Sequence, residues 1–261
     1  FDFLETNLLN LWTKNKDLEY FTHACALYNP GVTENKVDPD NISTYAYHID
    51  CGKLVNFIKE QIANKISFVK CGVKDVDRNS KGGLNSITLE DGQVVESDLF
   101  IDCTGWRRLL GPEPDSVDCT GRLFCDTAIA GPAQYIDMDS EMRPYTTCSA
   151  VEHGWIWKTP NQSRIGTGLV FNKSVTDIDE AKDFFVDYWD GRVNRDTLKV
   201  LNWTPYYHKN SWVDNVCCNG LSSGFIEPLE STGIALICAG AIEIVEAVKG
   251  NCYSDLDAEL F

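Results

Sequence analysis

Apolar positions along the chain switch between helical and strand spacing, and the switches mark out the elements. After a polar lead-in, Asp50 can cap a helix whose apolar stripe is Leu54, Val55, Ile58 and Ile62. Ser67–Val73 reads as a strand. Ile87–Leu89 and Val94–Val95 flank Asp91–Gly92, a dipeptide that favours a tight hairpin. Asp98-Leu-Phe-Ile-Asp102 is a short buried strand running into Cys103-Thr-Gly105. Residues 111–116 read as a linker, and Leu123–Ala130, Pro144–Val151, Trp155–Lys158 and Ile165–Phe171 as strands of an antiparallel sheet. Ile178, Ala181, Phe184, Phe185, Tyr188 and Trp189 recur at helical spacing, and Asp190–Gly191 stops that helix. A strand around Val213–Cys218 and a turn at Asn219–Gly220 lead through 222–233 into a helix apolar on every side, which predicts enclosure in protein. Its run Ile234–Val248 carries Glu243 and Glu246, so it reads as a buried helix and not a membrane span. Helix, strand, hairpin, buried strand and small-residue turn, in that order, predict an open α/β sheet whose strand ends face a ligand.

Composition narrows the class. The chain has 261 residues, room for one large domain or two interlocked ones. With 43% hydrophobic and 24% charged residues it is globular, which excludes a disordered or fibrous class. Its 39 acidic against 23 basic side chains give a formal charge of −16, which argues against nucleic acid or an anionic membrane as main partner. Eleven cysteines, an odd number without a Cys-x-x-Cys pair, read as buried free thiols in a reducing compartment. The four histidines lie too far apart for metal-ligand spacing, so no metal site is expected. Phe1 and the last residues carry no obvious cap, which reads as part of something longer.

Candidate chemistry concentrates in Gly224–Gly233. Pro228 donates no backbone hydrogen bond and holds Glu227 extended, while Gly233 lets a ligand approach closely. The helix that follows presents unpaired N–H groups and its positive dipole end, a place for an anion or the electron-rich edge of a cofactor. Glu227 and Glu230 flank those amides. Spacing leaves two readings open: a helix cap beside a solvated loop charge, or a general base beside an anion pocket. Trp155 and Trp157, taken alone, are aromatics packed on one strand face, and Thr104–Gly105 is a strand-end turn. Gly166-Thr-Gly168 lacks the third glycine of a dinucleotide fingerprint and reads as strand.

The segment Gly224-Phe-Ile-Glu-Pro-Leu-Glu-Ser-Thr-Gly233 resembles the signature of the flavin-dependent tryptophan halogenases. Trp155-Ile-Trp-Lys-Thr-Pro160 is similar to that family's W-x-W-x-I-P motif, with Thr159 for isoleucine. Asp98–Leu110 resembles its D-L-F-x-D-C-S-G-x-R-G-L-L, with Arg108 for the glycine. The resemblance implies an α/β fold: an FAD-binding open sheet, Rossmann-like and of flavin monooxygenase type, with an inserted antiparallel β-sheet and helices. Residues 1–44 would belong to a substrate-side region, 45–110 to the FAD-binding sheet, and 111–204 to the antiparallel substrate-side domain. Residues 205–261 would return to the FAD-binding core with the halide loop and a long buried helix.

In that family reduced FAD, O2 and chloride or bromide yield hypohalous acid, which passes through a tunnel to tryptophan or another electron-rich aromatic. By this resemblance Glu230 is the catalytic glutamate with Ser231 beside it, and Thr232 and Gly233 hold the halide through backbone amides. Val73, Leu221, Ile234, Thr104 and Gly105 become cofactor contacts, and Trp155, Trp157 and Pro160 the tunnel motif. Implied partners are a separate flavin reductase and an aromatic small molecule, in the cytoplasm, with a homodimer left open. The family's glycine fingerprint and catalytic lysine match nothing in this stretch, which is not expected to halogenate alone. A flavin monooxygenase of the same fold, or a non-catalytic flavoprotein module, remain the alternatives.

Overall fold

A computed structural model describes residues 22–25, 32–33, 36–37, 46–112, 115–143, 145–229 and 231–250. In chain order, β1 (Thr22–Cys25), β2 (Val32–Thr33), β3 (Lys36–Val37) and β4 (Ala46–Ile49) precede a helix at Cys51–Ile62. Next come β5 (Val73–Arg78), β6 (Leu84–Leu89), β7 (Val94–Val95), β8 (Phe100–Asp102) and β9 (Ser116–Asp118). β10 (Thr127–Ala133), β11 (Thr147–Val151), β12 (Gly154–Pro160) and β13 (Ile165–Phe171) lead to a helix at Ile178–Tyr188 and β14 (Lys199–Asn202). The chain closes with β15 (Tyr206–His208), β16 (Trp212–Val213), β17 (Val216–Cys218), β18 (Gly224–Phe225) and the final helix Gly233–Gly250. Contacts divide the described residues into two units: Phe68–Leu123 with the stretch from Thr204 onward, and the stretch from β1 to Ser67 with Phe124–Trp203.

In the first of these units β8 and β17 pair in parallel, Phe100 opposite Val216 and Asp102 opposite Cys218. The parallel pair, followed by the final helix, is the α/β arrangement that the sequence predicts. Leu84, Phe100, Leu110 and Val216 are buried together, with Val73, Val76 and Ile87 packed on them. The hairpin forms at Asp91–Gly92: Gly92 has φ 87°, and Asp91 Oδ1 accepts from Gln93 N at 2.9 Å.

Two expectations need correction in this unit. The strand predicted at Ser67–Val73 begins only at Val73, because it is Val73–Arg78 that finds a partner in β6. Phe68 and Val69 remain exposed, so an apolar run without a strand partner forms no strand. The final helix is also not enclosed on all sides. Only Ile244 and Ala247 are buried, against Trp212, Cys217 and Leu99, while Leu236 is 65% exposed.

In the second unit Asp50 caps the first helix as expected, Oδ1 accepting from Gly52 N and Lys53 N at 3.1 and 3.3 Å. Arg164 bonds the other oxygen, Oδ2, at 2.5 Å and holds the Asp50 carboxyl below its ordinary value. The antiparallel sheet runs β11-β12-β13-β10-β14. The helix Ile178–Tyr188 lays Ala181 and Phe185 over Ile129, Ile156, Leu169 and Phe171. Positive φ at Asp190 and Gly191 ends its turn, at the predicted place.

The described cysteines are free, but only Cys217 and Cys218 are buried; Cys51, Cys103 and Cys148 are exposed, so the expected burial holds for β17 and not in general. Among the described residues no helix is long and apolar enough to cross a membrane.

Candidate functional site

The strand end at β8 is organised by one carboxylate. Asp102 is fully buried, and its Oδ1 accepts from Thr104 N and Thr104 Oγ1 at 2.8 and 2.6 Å. Oδ2 accepts from Leu110 N and Gly111 N, both at 2.8 Å. Four donors from one loop satisfy the buried charge, so residues 103–111 are wound around it. Thr104 Oγ1 in turn accepts from Leu109 N at 2.9 Å. Gly105 has φ 70°, and a Cβ placed there would meet nothing within 4 Å. Thr104–Gly105 therefore form an open turn at the carboxyl end of a parallel strand, where α/β sheets bind ligands.

The same aspartate ties the loop to the segment before the final helix. Its backbone oxygen accepts from Asn219 N at 3.0 Å and from Ser222 Oγ at 2.5 Å. Asn219 Nδ2 donates to Ile237 O in the helix at 3.0 Å, and Gly240 leaves the room: a Cβ there would lie 2.7 Å from Asn219 Oδ1. Leu221 sits in the short turn between them, its carbonyl accepting from Tyr206 Oη at 2.8 Å.

Arg108 stands where the resembling motif has glycine, and the backbone explains that glycine. Its φ is 42° and ψ 52°, the left-handed region that a side chain opposes by about 1 kcal/mol. Against this, Nη1 donates to Ser222 O and Nη2 to Asn210 O, each at 3.1 Å. Charged hydrogen bonds contribute about 1.5–3 kcal/mol each, so the arginine outweighs its own strain. Arg108→Gly should therefore lower stability by about 2 kcal/mol despite relaxing the backbone. The urea midpoint reads this directly; an unchanged or raised midpoint would mean that the strain dominates.

After β18, Glu227 Oε1 accepts from Leu229 N at 3.0 Å, so this carboxylate shapes the loop. Glu230 lies outside the described residues. Ser231 adopts φ 53° and donates its N–H to Pro228 O at 3.1 Å, which closes the turn. Thr232 O receives Leu236 N at 2.9 Å as the helix begins. Thr232, Gly233 and Ile234 are exposed, and a Cβ at Gly233 would meet nothing within 4 Å. The expected low-dielectric surround is thus not built by the described residues. Val73 opens β5 against the Leu84–Val216 cluster, away from residues 231–234 in sequence and in element.

Trp155, Trp157 and Pro160 lie on β12 of the other unit. The two indoles share a face with ring centroids 6.1 Å apart. Trp157 pairs with Gly168 on β13, and any Cβ at that glycine would collide with the Trp157 ring and the Ile129 carbonyl. Gly166-Thr-Gly168 is thus strand, as predicted, with a glycine that makes space for an indole. Pro160 O accepts from His48 Nδ1 at 2.8 Å, and His48 Nε2 then accepts from Thr146 Oγ1 at 3.0 Å. Sequence reasoning passed over Asp102, Asn219 and His48. Asp102 alone carried a signal, as an acidic residue ending an apolar strand before a Thr-Gly turn.

The family model described as tryptophan halogenase matches residues 4–261. The chain is 30% identical over 242 residues to the tryptophan 7-halogenase RebH of Lentzea aerocolonigenes, covering 89% of this chain and 46% of that protein. It is 30% identical to the tryptophan 6-halogenase ThaL of Streptomyces albogriseolus, covering 85% of this chain and 43% of that protein. It superposes with a TM-score of 0.73 and 31% identity on Xcc4156, a flavin-dependent halogenase from Xanthomonas campestris, over 83% of this chain and 44% of that one. The chain spans a little under half the length of these relatives.

Proposed function

The chain belongs to the tryptophan halogenase family, and from that premise we propose that the whole protein is a FADH2-dependent halogenase of tryptophan or another indole or electron-rich aromatic. Its fold is the α/β fold of the flavin-dependent halogenases, with the antiparallel sheet as the insert. One observation carries the reading: the 224–233 segment turns at Ser231 and starts a helix whose first residues are exposed, and Asn219 bonds that same helix at Ile237.

The residues present fit the groups this chemistry requires. Gly105 and Gly233 leave open space at a strand end and a helix start, and no described side chain caps the Gly233 turn. In this reading Thr104, Gly105, Val73, Leu221 and Ile234 hold FAD, and the amides of Thr232 and Gly233 hold chloride or bromide. Reduced FAD with O2 and halide supplies the hypohalous oxidant. Glu230 takes up the proton that the arene releases and offsets positive charge on the ring, with Ser231 beside it. Trp155, Trp157 and Pro160 serve as the tunnel motif. A separate flavin reductase supplies FADH2, and the setting is cytoplasmic.

The test is the whole protein with reduced FAD, bromide and a panel of indoles, read by mass spectrometry. The expected product carries bromine's paired isotope signal and disappears when halide is withheld. A hydroxylated product formed without halide would overturn the proposal in favour of a monooxygenase.

A further inference from the structure

The unit built from 68–123 and 204 onward contains a cavity of about 520 Å³ that none of these roles uses. Arg78, Trp106, Arg107, Arg108 and His208 line it, and Asp118 is the one carboxylate among the described residues of its wall. Two of the guanidinium groups are fixed by neutral partners. Arg78 donates to Leu110 O and Gly111 O at 3.3 and 2.6 Å, and Arg108 to Ser222 O and Asn210 O. Such bonds set the plane of each cation without cancelling its charge. Arg107 makes no hydrogen bond or ion pair among the described residues, and neither Arg78 nor Arg108 forms an ion pair there. Asp118 stays an anion but forms no ion pair with them among the described residues; its Oδ1 accepts from Thr120 N at 2.7 Å. In a chain of charge −16, three converging cations without an ion-pair partner among the described residues stand out.

The second observation is independent. His208 is 7% exposed and stacks edge-on to Tyr206 with centroids 5.1 Å apart, yet its Nδ1 has no hydrogen-bond partner among the described residues. Arg108 Nε is buried and unpartnered as well. Buried polar atoms in folded proteins are almost always paired, so two orphans on residues of one cavity wall mark that wall as polar and unfinished among the described residues. Trp106, 40% exposed, offers an aromatic face beside them.

We infer that this cavity binds the oxyanion, carboxylate or phosphate, of a small molecule whose planar body packs against Trp106. The guanidinium forks match such a group bidentately. FAD's own diphosphate offers the same chemistry, so the experiment separates the two sources.

The whole protein, FAD-free and FAD-loaded, is titrated calorimetrically at fixed ionic strength with inorganic phosphate and with indole-3-carboxylate. Saturable binding is expected in both forms, with at least a tenfold loss of affinity in Arg107→Gln. Arg107 bonds to nothing among the described residues, so the variant's melting temperature should not move. Arg107→Lys keeps the charge and should retain most of the affinity. No saturable binding, equal affinity in Arg107→Gln, or equal loss in both variants overturns the site. Binding lost on FAD loading gives the cavity to the cofactor and overturns it too. The measurement needs no turnover, so a protein that binds but does not halogenate would sink the proposed function and leave this site standing.

Discussion

Glu230→Gln in the whole protein should slow halogenation of the aromatic by about 10²–10⁴ while hypohalous acid continues to form. The carboxamide keeps the shape of the side chain but can neither take a proton nor offset positive charge on the arene. Oxidant formation in the proposed scheme rests on other groups, the amides at Thr232 and Gly233 and the FAD contacts, which the substitution leaves alone. Two readouts on one sample separate the steps: product by mass spectrometry and hypohalite by a diffusible trap. Halogenated product at the wild-type rate would remove Glu230 from the role. Loss of both signals would place the residue in halide or cofactor binding.

Asp102→Ala should destabilise the unit around β8 by about 4 kcal/mol or more, since it strands four donors, two of them buried backbone amides. Asp102→Asn keeps the volume but sets an amide group against backbone N–H groups, so about half of the loss should remain. The urea midpoint measures both. FAD affinity should fall with stability, because the residue positions Thr104 and Gly105 without touching the cofactor in the proposed arrangement. A loss under about 1 kcal/mol in Asp102→Ala would mean that the loop holds itself without the carboxylate.

Local signals reached the sequence where one element sufficed to decide them. The Asp50 cap, the Asp91–Gly92 hairpin and the Asp190–Gly191 stop each depend on a few adjacent residues, and each lies where the pattern puts it. The error at Ser67–Val73 arose because pairing across to β6, and not apolar content, chooses which residues become strand. The final helix was misjudged for a related reason: an all-apolar pattern states what a helix can bury, not which neighbours are present. The cation-lined cavity had no sequence signature, since Arg78 and His208 are brought together only through the fold, with Trp106-Arg-Arg108 between them. Family motifs singled out the 224–233 segment but not the Asp102–Asn219–Ile237 chain of hydrogen bonds that seats the helix after it.

The parallel pairing of β8 with β17 has a consequence for biosynthesis. Phe100–Asp102 leaves the ribosome long before Val216–Cys218 exists, and the whole 124–203 insert is translated in between. At about 5–20 residues per second the nascent strand waits on the order of ten seconds with one edge open. The insert, whose sheet and Ile178–Tyr188 helix are contiguous in the chain, can fold during that interval. Slowing translation across it should leave yield intact, whereas a holdase that masks the open edge of β8 should raise it.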